Sequence, residues 1–209
     1  MKLSVDRIVD AGLETYAEVG YHALSMRQVA RRLDAQAGSL YYHVADKATL
    51  VRLMADRVAQ QAYDAGTVAL EALPDGQGWQ ARVVAQATAL RATIRRHPGG
   101  AQLLAAGPAV ASTGALQLSE RLLGTLADAG VPASSRGIAA DALLSHVTGF
   151  VLQEQRAPAD QAPDPAGLAA LATRFPRTFD AASADLSDDE TFERSVELLC
   201  AGIATLVDG

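Results

Sequence analysis

The sequence predicts an all-α protein with a small N-terminal three-helix domain followed by a larger helical domain. Ala-rich apolar stripes at helical spacing recur along the whole chain, and no run alternates between apolar and polar residues as a half-buried strand would. Apolar residues make up 49% of the 209 positions, which is enough to form a sizeable core. The single Cys200 excludes an internal disulfide and any cysteine-based zinc site. We expect the domains to span residues 1–48 and 49–209.

The first helix is predicted from Ser4 to Val19, because apolar residues share one of its faces and Gly20 provides a C-terminal stop. Asp46 is predicted to cap a fourth helix that continues to about Leu70. Further helices are predicted at about 79–97, 101–106, 112–129, 134–156 and 188–207, with a weak one near 168–175. Residues 157–167 contain three prolines and are predicted to form a linker or mobile loop.

Residues 25–44, between the first and fourth helices, have the pattern of a helix-turn-helix. Ser25 and Gln28 have the spacing of a capping box, and Asp34 opens a short polar turn because Asp tolerates left-handed backbone. A second short helix follows, with Leu40 turned inward. This leaves a set of outward-facing residues suited to reading a DNA groove: Gln36, Ala37, Gly38, Ser39, Tyr41 and Tyr42.

The net charge of −6 is unevenly distributed along the chain. Residues 1–60 hold 8 Lys or Arg and 7 Asp or Glu, whereas residues 61–209 hold 10 and 17. Within residues 25–57 there are 6 basic and 3 acidic side chains. The predicted helix-turn-helix is therefore locally basic, as expected for contact with nucleic acid, although an asymmetry of this size is common by itself.

Three consecutive segments within residues 4–50 carry a family resemblance: DRIVDAGLETYAEVGY, then LSMRQVARRL, then GSLYYHVADKATL. In these motifs and their spacing, the region resembles the N-terminal domain of tetracycline-repressor-type (TetR-family) transcriptional regulators. One departure is Asp34, where the family usually has Gly in the turn. The resemblance implies a regulator that binds a double-stranded DNA operator.

The resemblance also implies roles for individual side chains. Arg27 matches the family position that reaches a guanine in the major groove, and the alternative is a solvated Arg. His43 and Lys47 match positions that contact phosphates; the alternatives are a helix C-cap for His43 and an exposed i,i+4 partner for Lys47. The predicted DNA-binding residues are Arg27, Gln36, Ala37, Gly38, Ser39, Tyr41, Tyr42, His43 and Lys47.

The last two long helices of this family pair with those of a second subunit in a four-helix bundle, so the resemblance implies a homodimer. The apolar stripes of the corresponding helices here could equally face the chain's own core. The stripes are Leu143, Leu144, Val147, Phe150 and Val151 in one helix, and Phe192, Val196, Leu199, Ile203 and Leu206 in the other.

A weaker resemblance to the effector domain of tetracycline-binding members rests on GQGWQ at 76–80, RRHPGGAQLLA at 95–105 and GFVLQEQ at 149–155. The residues that hold magnesium-tetracycline there do not carry over, because the metal-binding histidine falls at Leu104, which has no lone pair to donate. We therefore expect no metal or other cofactor, and a mostly apolar pocket for a different small molecule. The predicted lining residues, each of which could instead be core, are Gln86, Leu90, Leu103, Leu104, Leu116, Gln117, His146, Phe150 and Gln153.

Other function classes have little support. The sequence contains no His-Glu-x-x-His, no Gly-x-Ser-x-Gly and no phosphate-binding Gly-rich loop, so we do not expect an enzyme. No signal-like or membrane-length apolar run occurs, which predicts a cytoplasmic protein without membrane contact. The predicted function is a ligand-responsive, homodimeric repressor. The alternatives are a ligand-activated regulator and a regulator whose helical domain binds a protein partner and lacks a large internal pocket.

Overall fold

A computed structural model of the protein describes residues 3–106, 112–156, 164–182 and 186–207, which form eleven α-helices and no strand. The all-α prediction is therefore confirmed. The helices are α1 (Val5–Ala23), α2 (Met26–Arg32), α3 (Ala37–His43), α4 (Lys47–Glu71), α5 (Trp79–Arg95), α6 (Gly100–Ala105), α7 (Thr113–Asp128), α8 (Ala133–Glu154), α9 (Pro165–Arg174), α10 (Pro176–Ala182) and α11 (Asp188–Ala204).

Side-chain caps set the starts of α1, α2, α4, α7 and α11. Asp46 accepts a hydrogen bond from the Thr49 backbone N–H at 2.7 Å, and this bond lowers the pKa of the Asp46 carboxyl. The predicted box at α2 takes a variant form: the Ser25 hydroxyl accepts from the Gln28 N–H at 3.4 Å and donates to the Gln28 side-chain oxygen at 2.8 Å. The sequence signals therefore locate these helix starts correctly.

The three N-terminal helices and the first half of α4 enclose one apolar core. Leu40 of α3 and Met54 of α4 are both fully buried in it. At its edge, Arg57 of α4 is paired with Asp6 at 2.5 Å and Asp10 at 2.7 Å, both on α1. Helix α4 is therefore part of the packing that supports the helix-turn-helix.

A second core is formed by α5, α7, α8 and α11, together with Ala62 from the second half of α4. The 25 residues of α4 thus contribute to both cores, and the predicted boundary between residues 48 and 49 falls in its first turn. Helix α6 is a second connection, because Leu103 is fully buried in the N-terminal core and Leu104 packs against both.

The turn before α6 also contacts α1. The Tyr16 hydroxyl donates a hydrogen bond to the Gly99 carbonyl at 3.2 Å, and Gly99 has a left-handed backbone with φ of 71°. A Cβ at position 99 would lie 2.6 Å from the Tyr16 ring, so glycine is needed there for space as well as for conformation. These contacts tie the first helix to the second domain.

The apolar stripes of α8 and α11 that were considered for a dimer face the chain's own core. Val147 and Val196 are almost completely buried between the helices of the second domain, as are Leu143, Val151, Phe192 and Ile203. Leu144, Phe150 and Leu199 are partly buried, and Leu206 is 38% exposed. An apolar stripe at spacings of three and four indicates one buried side of a helix, but does not say what covers it. The outward faces of the same helices carry other residues, with Ile138 75% exposed and Leu198 73% exposed.

Several smaller features refine the predicted elements. Gly20 has a non-helical backbone with φ of 72°, so the predicted stop is a break in the helix, and the chain turns helical again up to Ala23. The weak helix predicted near 168–175 is present as α9, and α10 follows it without having been predicted. Of the predicted linker 157–167, residues 157–163 lie outside the described residues. Among the helices described, none is long and apolar enough to span a membrane.

Candidate DNA-binding surface and effector cavity

The turn between α2 and α3 is built as predicted around Asp34, whose φ is 49°. The Ala35 N–H donates to the Ala30 carbonyl at 2.9 Å, and the Asp34 N–H donates to the Arg31 carbonyl at 3.2 Å. This pair of bonds is the Schellman motif that closes a helix C-terminus around a left-handed residue. Asp34 therefore occupies a position that usually favours Gly, and α3 still follows directly.

Helix α3 presents an exposed polar and aromatic surface above a buried anchor. Leu40 is completely buried and Val44 is 1% exposed, whereas Tyr41 and Tyr42 are 51% and 90% exposed. The other exposed residues predicted to face outward are Gln36, Gly38, Ser39 and His43, and Ala37 is half-buried. The structure thus brings the predicted α3 residues together on one surface.

Two basic side chains predicted to contact DNA border this surface. Arg27 at the start of α2 is exposed and has no hydrogen bond or ion pair with the part of the chain that the structure describes. Lys47 at the start of α4 donates to the Tyr21 carbonyl at 2.8 Å and lies 4.8 Å from the centre of the Tyr21 ring. An ammonium group has three donors, so this bond leaves Lys47 able to contact a phosphate.

The second domain contains two adjoining cavities, which share Leu90, Leu118 and Leu144 as lining residues. The smaller has a volume of about 20 Å³ and lies between α5, α7 and α8. The larger has a volume of about 150 Å³ and is bounded on one side by α4, through Arg52, Ala55 and Ala59. A molecule in the larger cavity would therefore contact the helix that supports the helix-turn-helix.

The walls of both cavities are mostly apolar, with a few polar groups. In the smaller cavity the Gln86 amide donates to the Thr125 hydroxyl at 3.1 Å, and its oxygen accepts from Arg121 Nε at 3.1 Å. The larger cavity adds further polar side chains, Arg52, Ser112, Ser119 and Thr148. This combination of an apolar wall and few polar anchors is typical of small-molecule sites.

The N-terminal end of α7, which borders the larger cavity, is held directly by α4. The Asp56 carboxylate accepts hydrogen bonds from the Ser112 hydroxyl at 2.7 Å and from the Gly114 N–H at 2.8 Å. The helices approach so closely here that a Cβ on Gly114 would lie 2.5 Å from the Gln60 nitrogen. A change in the cavity that moves α7 would therefore also move α4.

Two family profiles match this chain. The profile described as "Bacterial regulatory proteins, tetR family" matches residues 8–54, and "Tetracyclin repressor-like, C-terminal domain" matches residues 72–207, more than half of the chain. The chain belongs to the TetR family of transcriptional regulators. TetR-family regulators are non-enzymatic DNA-binding transcription factors, so the assignment confirms both the predicted family and the expectation that this chain is not an enzyme.

Individual relatives agree with the TetR-family assignment. An HTH-type transcriptional regulator of Saccharopolyspora erythraea is 35% identical over 152 residues, covering 73% of this chain and 61% of that protein. This chain therefore matches less than two thirds of the length of that relative. A possible TetR family transcriptional regulator from Streptomyces coelicolor A3(2) is 29% identical with a TM-score of 0.80, over 97% of this chain and 100% of the other. BioQ, crystallised with its natural double-stranded DNA operator, is 25% identical with a TM-score of 0.67, over 97% and 99%.

The residues predicted to bind an effector in this TetR-family chain do not all meet at the cavities. Gln86 and Leu90 line the smaller cavity, and Leu90 and Leu104 line the larger one. Leu103 is buried in the N-terminal core instead, while Leu116 is 49% exposed and Gln153 is exposed.

The remaining predicted residues have other surroundings. His146 has its Nε2 2.6 Å from the Ser195 hydroxyl and its ring stacked on Phe192, on the side of α8 that faces α11. Phe150 lies on the same side and contacts Phe192 edge to face. Gln117 lies one turn before Arg121 on α7, and its buried Oε1 accepts no hydrogen bond from any residue that the structure describes.

The cavities also have lining residues that the sequence reasoning did not select. Arg121 is the most notable, because it is a cation between Leu118 and Leu122 on the apolar side of α7. A charged residue inside an apolar helical stripe was the available signal. The described ranges hold no group of three or more His, Cys, Asp or Glu residues close enough to share a metal ion.

Proposed function

We propose that the protein is a ligand-responsive transcriptional repressor, which binds a palindromic operator as a homodimer and is released by a small, mostly apolar molecule. The observation that carries this proposal is the exposed surface of α3, where Tyr41 and Tyr42 project from a helix whose own anchor, Leu40, is buried. Two adjacent exposed tyrosines are costly on an ordinary solvated surface and useful in a DNA groove.

A dimer is needed because one α3 reads only a few base pairs. Two copies reach successive major grooves when they lie roughly 34–36 Å apart, or a multiple of that distance. We assign the contact between subunits to the outward faces of α8 and α11, where Ile138 and Leu198 are exposed among small side chains such as Ala142, Ala201 and Gly202. Small residues let helices of a second copy approach closely while the large apolar ones become covered.

Release follows from the contacts of α4. Its first half belongs to the DNA-binding core, and Ala55 and Ala59 form one wall of the larger cavity. A molecule that expands the cavity pushes α4 and changes the distance between the two copies of α3, so both can no longer enter successive grooves. A coupling free energy of about 1–3 kcal/mol per site is sufficient for useful switching. The cavities favour this mechanism over a helical domain that binds only a protein partner.

The first test is selection of bound sequences from a random DNA pool, with Arg27→Ala beside the unmodified protein. We expect a palindrome, and a loss of preference at one position per half-site in the variant, because a bidentate Arg–guanine contact discriminates by about 1–3 kcal/mol. Enrichment of unrelated, non-palindromic sequences would contradict the dimeric reader. Loss of the palindrome on addition of a ligand identifies a repressor that the ligand releases, whereas a stronger palindrome identifies a ligand-activated regulator.

The dimer has a separate test. We expect Leu198→Arg or Ile138→Arg to shift the protein from dimer to monomer in sedimentation and to weaken operator binding. Val68→Arg is the matched control, since Val68 is 65% exposed but lies on α4, away from the proposed contact. A dimer that survives both substitutions would show that the subunits meet elsewhere.

A further inference from the structure

The two polar side chains that line the smaller cavity are engaged elsewhere in the chain. The Gln86 amide donates to the Thr125 hydroxyl at 3.1 Å, and its oxygen accepts from Arg121 Nε at 3.1 Å. The Arg121 guanidinium then extends to α4, where Nη1 donates to the Tyr63 carbonyl at 2.7 Å and the Thr67 hydroxyl at 2.9 Å. The smaller cavity therefore offers a ligand mainly an apolar wall, and its volume of about 20 Å³ suits a group no larger than a methyl.

The charges around the larger cavity favour an uncharged ligand. Among the lining residues that the structure describes, Arg52 alone is charged, and it is exposed to solvent and already has an interaction within the chain. Where Ser112 lines the cavity, its hydroxyl donates to the Asp56 carboxylate at 2.7 Å. A second anion beside Asp56 would be repelled, in surroundings that weaken the interaction less than water does.

The hydroxyl groups that line the larger cavity differ in the hydrogen bonds they can still make. Ser112 donates its proton to Asp56, and Thr148 donates its proton to the Leu144 carbonyl at 2.9 Å, so both can only accept a further bond. The Ser119 hydroxyl has no hydrogen-bond partner among the described residues. Ser119 is therefore the lining residue whose hydroxyl is able both to donate to a ligand and to accept from it.

The position of Ser119 on α7 keeps its hydroxyl at the cavity wall. Ser112, Ala115 and Ser119 line the larger cavity at spacings of three and four residues, so one side of the helix faces it. A serine hydroxyl is attached directly to Cβ, so it stays beside its own helix, unlike the long side chain of Arg121. Ser119 is also half-buried, and a bond to a ligand would satisfy its hydroxyl there.

We propose that the effector is a neutral hydroxyl compound of about the size of one aromatic ring, such as a phenol, whose hydroxyl group bonds to Ser119. The inference rests on the proposed ligand response and names the chemical class of the ligand. The larger cavity, with a volume of about 150 Å³, accommodates one benzene ring. A hydroxyl group both accepts and donates, which suits a wall that holds Ser119 and the acceptor Thr148. A phenol also stays neutral at pH 7, because its pKa is about 10.

The test measures the binding of three probes to the full chain by isothermal titration calorimetry. The probe para-cresol has the proposed hydroxyl group, para-fluorotoluene has nearly the same shape without a hydroxyl, and para-toluate carries a negative charge. We expect the Kd of para-cresol to be about tenfold below that of para-fluorotoluene, as one or two hydrogen bonds provide. We expect para-toluate to bind most weakly. This comparison needs no variant, so it does not depend on the folding of an altered protein.

Variants then assign the preference to the residue. Ser119→Ala is expected to remove most of the preference for para-cresol, because the donor to the ligand is lost. Binding of para-fluorotoluene should persist in this variant, which shows that the cavity is intact. Ser134→Ala is the matched control, since Ser134 lies exposed on α8 outside both cavities, and it should leave the preference unchanged.

The outcomes separate this inference from the proposed function. Equal binding of para-cresol and para-fluorotoluene, or a preference that Ser119→Ala does not alter, would overturn the ligand class while the effector cavity stands. Tightest binding of para-toluate would also overturn it, in favour of an acid. Failure of all three probes to bind would contradict the cavity itself, and with it the proposed release by a small molecule.

Discussion

The Asp56 carboxylate on α4 accepts a hydrogen bond from the Gly114 backbone N–H at the start of α7, at 2.8 Å. Helix α4 supports the candidate DNA-binding surface, and helix α7 lines the larger cavity. Because glycine is the residue that permits this approach, the contact can be altered by a single methyl group.

Gly114→Ala should separate α4 from α7. The added Cβ would lie 2.5 Å from the Gln60 nitrogen and 2.9 Å from the Asp56 carbonyl oxygen, so the helices must move apart. We expect a loss of about 1–3 kcal/mol in the free energy of unfolding, measured in urea. Gly124→Ala on the same helix meets no atom within 4 Å and should instead stabilise by about 0.5–1 kcal/mol. Equal effects of the two substitutions would contradict the close packing.

Asp34→Gly should stabilise the helix-turn-helix. A non-glycine residue in left-handed backbone costs about 1–2 kcal/mol, partly offset by the greater chain entropy of glycine when unfolded. We expect a net gain of up to about 1 kcal/mol in thermal or urea unfolding, with unchanged operator affinity. Asp34→Ala keeps the strain without the polar side chain and should be less stable than the natural protein. A destabilising glycine would imply that the Asp34 side chain contributes more than its backbone costs.

Tyr42 and Leu40 should separate DNA reading from folding. Tyr42→Ala removes a side chain that is 90% exposed, so unfolding should change by less than about 0.5 kcal/mol while operator binding weakens. Leu40→Ala leaves a cavity in the N-terminal core and should cost about 2–5 kcal/mol. Both quantities are measured on each variant. Intact operator binding by Tyr42→Ala would remove this tyrosine from the proposed interface.

Glu154 should matter more than Asp189 in the Arg91 network. The side chains of Arg91 and Glu154 are 6% and 12% exposed, whereas that of Asp189 is 78% exposed. Breaking a buried pair leaves an uncompensated charge, so Glu154→Gln should cost up to about 3–5 kcal/mol. An exposed partner contributes little, so Asp189→Asn should cost no more than about 1 kcal/mol. The reverse order in urea unfolding would mean that α11 holds Arg91 in place.

Acid should destabilise the protein partly through His146. Burial lowers the pKa of His146 below its ordinary value of 6.5, so the unfolded chain takes up the proton first as the pH falls. Well above pH 6.5 His146 is neutral in both states and does not affect the free energy of unfolding. Below that pH the free energy of unfolding decreases, because the unfolded chain binds the proton more readily. His146→Gln should reduce the decline between pH 7.5 and 5.5 in thermal unfolding. Burial also lowers the pKa of His97, so this histidine should cause part of the loss of stability that remains in the variant. If His146→Gln lost as much stability as the natural protein over this pH range, His146 would not contribute.

The helix-turn-helix that carries the candidate DNA-binding surface could be predicted from sequence because its signals are local. The cap at Ser25, the turn at Asp34 and the inward phase of Leu40 are each set by neighbours within a few residues. The partner of each apolar helix face, by contrast, is set by residues far away in the sequence. The stripe containing Val147 indicated a buried side correctly, but whether the chain or a second copy covers it depends on tertiary structure.

The cavity was predictable only in part for the same reason. The predicted residues Gln86 and Leu90 do line a cavity, whereas His146 contacts Ser195 on the neighbouring helix α11. Arg121 lies between Leu118 and Leu122 at helical spacing, so the sequence predicts that it faces inward. The sequence does not predict which groups on the neighbouring helices contact it. That depends on which helices meet there, and the sequence does not specify it.

The shared use of α4 also decides where hybrid regulators can be joined. The buried side chains of α4 from Leu50 to Val58 belong mainly to the core beneath α3, while Ala62 belongs to the core of the second domain. A graft that exchanged only residues 1–48 would pack three foreign helices against the α4 side chains of this protein, which complete a different core. A joint after Val58 transfers the N-terminal helices with the α4 residues that complete their core, but it also transfers Asp56, whose carboxylate accepts hydrogen bonds from Ser112 and Gly114 at the start of α7. A hybrid joined there must therefore keep this α4–α7 contact across the joint.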